Sequence, residues 1–365
     1  MADLFFIAEQ FTPQARVIDI RAYGNGNINN TFLVTLDAEG QKHFILQRVN
    51  TQVFHQPELV MLNMRIATGH IRRRLQRTPL SAGRRWEVPS VLSVRDGRDH
   101  WIDSDGSFWR AISFIEGAQS SDTITGIDHA REVGYALGIF HTLLSDLTPE
   151  SLSDTLGGLH ITPRYLGHFE EVLAKYNAVR SPEVNYCLEF IDKRNALAHV
   201  LEDEREKGRL RLRPIHGDPK VNNIMMDTIT GQAIGIVDLD TVKPGLIHYD
   251  IGDCLRSGCN PLGEETEQWE EVLFDSDLCR AILQGYFSMA GGFLTGNDFA
   301  FLYDSIRLIA FELGLRFFTD YLEGNIYFKV RHREHNLLRA LVQFKLAESI
   351  EKQEKDIRDI IEETG

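Results

Sequence analysis

Basic residues are in short supply. Lys plus Arg number 39 against 53 Asp plus Glu, which leaves a formal charge of −14 over 365 residues. A surface built for nucleic-acid phosphates carries the opposite sign, so that class of partner is not expected. A local cationic site for one small phosphorylated ligand stays open. Cysteine is also scarce: Cys187, Cys254, Cys259 and Cys279 are the four present, and no pair has zinc-ribbon spacing. Neither a disulfide framework nor a zinc module is expected from them. No window approaches the ~18 uninterrupted apolar residues of a membrane span. The opening MADLFFIAEQF lacks a basic n-region and is broken by Glu9 and Gln10, so it reads as a short amphipathic helix rather than a signal peptide. These absences point to a soluble protein of the cytoplasm, with no membrane and no nucleic acid as partners. Internal repeats and low-complexity linkers are missing too.

What is present is ordinary globular material, 43% hydrophobic and 25% charged. At about 150 residues per domain the length suggests two domains or two lobes. The first third is strand-rich: 16–23, 31–36, 43–49, 88–94, 99–103 and 107–115 have strand composition. Between them Pro57 opens a helical stretch to about Arg77. Its Arg72-Arg73-Arg74 run is expected at a solvated helix end, where cations suit the dipole. From Asp128 onward the pattern is helical, with candidates at 128–146, 163–177, 184–207, 266–290, 297–322 and 334–362. Short β-type runs at 212–216, 223–226 and 233–239 interrupt them. The expected fold is α+β: a β-rich unit over 1–116 and a larger helical unit over 117–365.

The strongest chemical signal is HGDPKVNNIMMD at 216–227, followed by GIVDLD at 235–240. Asp218 and Asn223 share a loop between two short strands, and Asp238 ends an apolar run. A carboxylate and an amide converging with a second carboxylate suit a hard cation with oxygen ligands. Asp218 is then free to accept a proton from a hydroxyl nucleophile, the division of labour of kinase catalytic loops. His216 is expected to brace the loop, and Asp240 is left open between metal ligand and loop cap. Turn-forming Asp and Asn explain any one of these residues, but not the ordered set in its β context.

The second signal is YGNGNINNTF at 23–32, between two strands. Gly24 and Gly26 let the backbone approach a ligand, and exposed N–H groups cradle phosphate. A strand follows where a dinucleotide fingerprint needs a helix, and the Gly-Lys-Ser/Thr of a Walker loop is missing.

In this order the motifs resemble the aminoglycoside phosphotransferase and choline kinase superfamily, whose H-G-D-x-x-x-x-N loop matches at His216, Gly217, Asp218 and Asn223. Within it, the phrases YGNGNINNTFLVT, FILQRVNTQVF, LDTVKPG, LRFFTDYLEGNIYF and EHNLLR are most similar to N-acetylhexosamine 1-kinases. The resemblance implies a bilobal protein-kinase-like fold and transfer of the ATP γ-phosphoryl group, with Mg2+, to the anomeric hydroxyl of GlcNAc or GalNAc. It implies Asp218 as catalytic base, Asn223 and Asp238 as magnesium ligands, and Phe114, Ile115 and Glu116 as the adenine hinge. Arg316 and Tyr327 match positions that contact the sugar, with Asp320 a weaker candidate. Gln47 stands where many kinases carry the third-strand lysine, and the following helix offers Asn63 in place of a glutamate. A neutral Gln47–Asn63 pair is therefore expected, and Arg48 should face the other side of the strand. Kinases of an amino sugar, homoserine, choline or an aminoglycoside are the nearest alternatives. A catalytically silent nucleotide-binding protein is the other. The expected assembly is a monomer or small homo-oligomer.

Overall fold

The computed structural model describes residues 3–365 apart from 13–14, 25–27, 39, 41, 81–82 and 178–180. Helix α1 (Leu4–Gln10), capped by Asp3, precedes the strands β1 (Arg16–Ala22), β2 (Asn30–Asp37) and β3 (His43–Arg48). Helix α2 (Pro57–Arg77) comes next, then β4 (Val91–Leu92), β5 (Trp101–Ile102) and β6 (Phe108–Ser113). These six strands form one antiparallel sheet in the order β1-β2-β3-β6-β4, with β5 also on β6. Strand alternation divides the sheet into two faces. Phe44, Leu46 and Ala111 pack with Ile7 and Phe11 on the α1 side. Leu33, Ile45 and Ile112 point the other way, toward Met64, Ala67 and Ile71 of α2. Thr31, Gln47 and Arg110 lie in register across β2, β3 and β6 on this second face.

Beyond the sheet, β7 (Ala118–Gln119) pairs with β9 (Ile224–Asp227), which in turn pairs with β10 (Ala233–Ile236). A separate ribbon joins β8 (Arg213–Ile215) to β11 (Lys243–Gly245). Around these strands lie α3 (Ile127–Leu144), α4 (Thr162–Leu173), α5 (Pro182–Asp192), α6 (Val200–Glu206) and α7 (Ile247–Gly258). The chain ends in α8 (Ser276–Ala290), α9 (Gly296–Ala300), α10 (Leu302–Glu323), α11 (His335–Lys352) and α12 (Glu354–Thr364). Helices α10 and α11 run through the largest core, where Phe311, Phe318 and Phe344 are fully buried.

Several expected helix boundaries shift. The expected helix 184–207 breaks after Asp192 into α5, a 3₁₀ turn and α6; at the break Arg194 stacks on Phe190 and pairs with Glu351 of α11. The expected helix 266–290 starts only at Ser276, where the Asp275 side chain accepts from the backbone of Asp277 and Leu278. Gln353 divides the expected 334–362 helix into α11 and α12 and bonds the Phe274 carbonyl. The arginine run is not simply solvated either. Arg72 donates to the Val88 and Pro89 carbonyls, and Arg74 pairs with Asp146, so two of the three tie α2 to its neighbours.

Candidate active site

The HGD loop leaves β8 and is held from below. Asp250 of α7 accepts the backbone N–H of His216 at 2.6 Å and of Gly217 at 2.8 Å. The same carboxylate takes His141 Nε2 at 2.8 Å, and His141 in turn meets the Tyr286 hydroxyl. Burial raises the Asp250 pKa, but the His141 bond and neighbouring charge outweigh it, and the group lies below the usual carboxylate range. His216 is fully buried, donates through Nε2 to the Val237 carbonyl and accepts the Asp218 N–H at Nδ1. One nitrogen donating and the other accepting is the neutral imidazole, in keeping with a pKa pushed down by burial. Gly217 has φ +86, and a Cβ there would sit 2.7 Å from the Thr241 carbonyl. Only glycine meets both demands.

Asp218 emerges half-buried, and its Oδ2 pairs with Lys220 Nζ at 2.8 Å. Burial favours protonation, yet Lys220, with a smaller contribution from Arg256, holds the pKa below its ordinary value. Asp218 is thus an ionised acceptor at neutral pH. Asn223 donates through Nδ2 to the Asp218 carbonyl at 2.8 Å, and its amide oxygen accepts nothing among the described residues. Asp238 follows β10 in a left-handed conformation, φ 63, and its exposed carboxylate takes no hydrogen bond from a described residue. Enclosure by the surrounding protein, then repulsion from Asp240 and Asp218, pushes its pKa up to about 7. Water reaches the side chain, so like-charge repulsion is the dominant cause.

These observations bear on magnesium. An unpartnered carboxylate crowded by two others, beside a free amide oxygen, is the donor set of a hard divalent cation. The residues therefore fit the metal that the loop motif implies.

The remaining expected residues divide around this centre. Gly24 adopts φ +72 at the end of β1, where glycine is required; Gly26 lies outside the described residues. At the end of β6, Phe114 meets the rings of Tyr23 and His43 edge-on at 5.8 and 5.6 Å. Ile115 packs on Met225 and Ile234 to form a small apolar floor. The Glu116 carbonyl accepts from Arg85, and its carboxylate takes His43 at 2.7 Å.

The expected Gln47–Asn63 pair does not form. Gln47 Nε2 donates to Thr31 Oγ1, and Gln47 Oε1 accepts both Nε and Nη2 of Arg110, at 2.9 and 2.7 Å. Asn63 instead bonds Ser153 and the Val242 carbonyl, tying α2 to the segment just beyond Asp238. The physical reason is register: Arg110 lies directly opposite Gln47, whereas Asn63 reaches past the sheet. Arg48 does face the other way, exposed and bonded to Asn30. Because a cation already stands at this place, Gln47→Lys should give no gain in kcat/KM for ATP. Its ammonium would compete with Arg110 for Asp240; a clear gain in steady-state assays would contradict this.

A cavity of about 350 Å³ lies between α4, the 50–56 segment and the end of α10, lined in part by Tyr165, His168, Arg316, Tyr327 and Phe328. The Arg316 guanidinium stacks over Tyr165 at 4.9 Å and near Phe328 at 5.6 Å. Among the described residues it makes no hydrogen bond or ion pair. Burial alone would depress its pKa, but Tyr165, Glu312, Tyr327 and Asp218 raise it, so the charge is permanent. Of the nearby acids, Glu323 lines the cavity and meets His168 at 3.2 Å, while Asp320 and Glu312 are engaged by the protein. Asp320 accepts the N–H groups of Ile326, Tyr327 and Phe328 and the amide of Asn336. It is therefore a loop anchor that presents Tyr327. Glu312 bonds His160 and Thr162, while His160 donates to the Gly217 carbonyl. Burial opposes charging His160, but the Glu312 charge and hydrogen bond outweigh it and raise its pKa. An ionic link thus runs from α10 to the HGD loop.

Lys220, Asp250, His160 and Arg110 escaped the sequence reading. Lys220 was within the motif and readable as a cation two residues from Asp218. Asp250 left a trace as one of two acids in the otherwise compact IHYDIGD run. His160 and Arg110 act through contacts 57 and 63 residues away.

A six-stranded sheet joined to a helical part, with an HGD loop clamped to a buried aspartate, is the arrangement of a protein-kinase-like fold. A profile of the phosphotransferase enzyme family matches residues 19–290, and the chain belongs to that family. Its fold is similar to that of a microcompartment-associated aminopropanol kinase (19% identity, 97% of each chain, TM-score 0.63). It is also similar to a choline kinase from Cryptosporidium parvum Iowa II (14%, 92% of this chain and 89% of that one, TM-score 0.58). An ADP-bound aminoglycoside phosphotransferase matches at 14% identity over 96% and 99%, with a TM-score of 0.52. Among the described residues no helix is long and apolar enough to cross a membrane.

Proposed function

We propose that this phosphotransferase is an ATP-dependent sugar 1-kinase acting on the anomeric hydroxyl of an N-acetylhexosamine. The nucleotide lies between residues 1–116 and 117–365, with adenine against Phe114, Ile115 and Glu116 and phosphates under the Gly24 loop. Asp218 orients the C1 hydroxyl and takes its proton as the C1 oxygen bonds to the γ-phosphorus. The γ-phosphorus–oxygen bond to ADP breaks as this bond forms, and no phosphoenzyme intervenes. Lys220 steadies Asp218 and offsets charge on the transferring group. Asn223 and Asp238 would hold magnesium, which when bound would neutralise further charge at the phosphates. The low pKa of Asp218 suits orientation of the hydroxyl more than retention of the proton.

One observation carries the choice of acceptor: the free guanidinium of Arg316 in the cavity beside the catalytic loop. A choline- or aminoalcohol-type acceptor brings its own cation and would be repelled there. Asp320 and Glu312 spend their oxygens on the protein, and Glu323, which also lines the cavity, is paired with His168. A neutral sugar with ring and acetamido oxygens satisfies the guanidinium, and Tyr327 adds a ring face.

The test is ATP consumption with GlcNAc, GalNAc, choline, ethanolamine, aminopropanol, homoserine and kanamycin. An N-acetylhexosamine should give the highest kcat/KM; an amino alcohol in first place would overturn the acceptor reading. Arg316→Ala should raise the sugar KM by an amount equivalent to about 1.5–3 kcal/mol, the scale of a charge-assisted hydrogen bond. The ATP KM should hardly move. Equal changes in both would remove Arg316 from the acceptor site.

A further inference from the structure

The third strand carries no lysine, yet the phosphates of a bound nucleotide need a cation. Arg110 is 1% exposed and lies in register with Gln47 and Thr31 on the face toward α2. Gln47 clamps its Nε and Nη2. Asp240, two residues beyond Asp238, forms an ion pair with Nη2. Its Nη1 is buried with no hydrogen-bond partner. A buried, unsatisfied guanidinium N–H is costly and calls for an acceptor. Asp240 Oδ2 also takes the amide of Asn29 at 2.7 Å, so the residue just before β2 reaches this pair.

We infer that Arg110 is the residue that binds the α- and β-phosphates of the nucleotide, with Asp240 as its carboxylate partner. The pair does from β6 and the post-β10 turn what a third-strand lysine and a helix glutamate do in many kinases. The planar fork suits this place because one edge holds Gln47 and Asp240 while Nη1 remains for a phosphate oxygen. Phosphates entering under the loop displace Asn29 from Asp240 and gain access to Nη1. Gln47 becomes the clamp that fixes the fork, which accounts for a glutamine at that position.

This inference rests on reading the cleft as a nucleotide site, and calorimetric binding of ADP and adenosine in EDTA separates the two. In Arg110→Gln, ADP should bind on the order of 10- to 100-fold more weakly, the range of one charged hydrogen bond, with adenosine within about twofold of wild type. Adding Gln47→Lys to Arg110→Gln should restore most of the ADP affinity by returning the cation to the third strand. If the single variant fails to fold with Asp240 unpaired, Arg110→Lys keeps the charge. Its ammonium is a point donor committed to Asp240, so ADP should still weaken relative to adenosine. Unchanged ADP affinity, or parallel weakening of ADP and adenosine in the variants, would overturn the role of Arg110. Failure of the wild-type protein to bind either ligand would overturn the nucleotide reading itself.

Discussion

Asp218→Asn is expected to lower kcat by about 10²–10⁴, the span of a positioned general base, while nucleotide affinity stays close to wild type. The amide keeps the shape of the carboxylate, so the loop clamped by Asp250 should hold its course. What disappears is the acceptor for the hydroxyl proton and the negative partner of Lys220. Steady-state kinetics with a parallel nucleotide titration separate the two effects. Turnover near wild type would remove Asp218 from the chemistry. Loss of nucleotide binding in step with turnover would show that the substitution had disturbed the cleft instead.

The second large effect is expected at Asp238. Asparagine is the informative replacement, because it tolerates the left-handed backbone that this residue adopts. At limiting magnesium, Asp238→Asn should cost about 10²–10³ in kcat, the scale of losing one charge-stabilising group, and excess magnesium should recover part of it. In the metal-free protein the same change should raise Tm, because it removes repulsion among Asp238, Asp240 and Asp218. A residue that loses activity yet gains stability has a metal-binding signature that a purely structural aspartate would not give. Unaltered activity at limiting magnesium would contradict the assignment.

Local chemistry explains which features were readable in the sequence. Strands β1 to β3 and helix α2 have short-range patterns, and α2 matches its Pro57 start and Arg77 end. The HGD loop was legible because its residues lie within eight positions of one another, His216 to Asn223. Side-chain pairing was not legible. The residue opposite Gln47 depends on strand register, and only the folded sheet brings Arg110 there. The same holds for Asp320, a weaker sugar-contact candidate in the sequence that proves to be buried under three backbone N–H groups. Helix breaks at Arg194 and Gln353 follow from tertiary bonds to Glu351 and Phe274. The start of α8 is a different case: Asp275 is an N-cap signal that was present in the sequence.

The central claim, transfer to an anomeric hydroxyl, is tested most directly by comparing free GlcNAc and GalNAc with their methyl glycosides, following the product by phosphorus NMR. In the proposed pose Arg316 and Tyr327 hold the sugar so that only its C1 hydroxyl reaches Asp218. The account predicts an acid-labile glycosyl phosphate with no reducing end from the free sugars, and no phosphorylation of the glycosides. A methyl glycoside accepted as readily as its free sugar would mean that another hydroxyl is attacked, and the 1-kinase reading would fail.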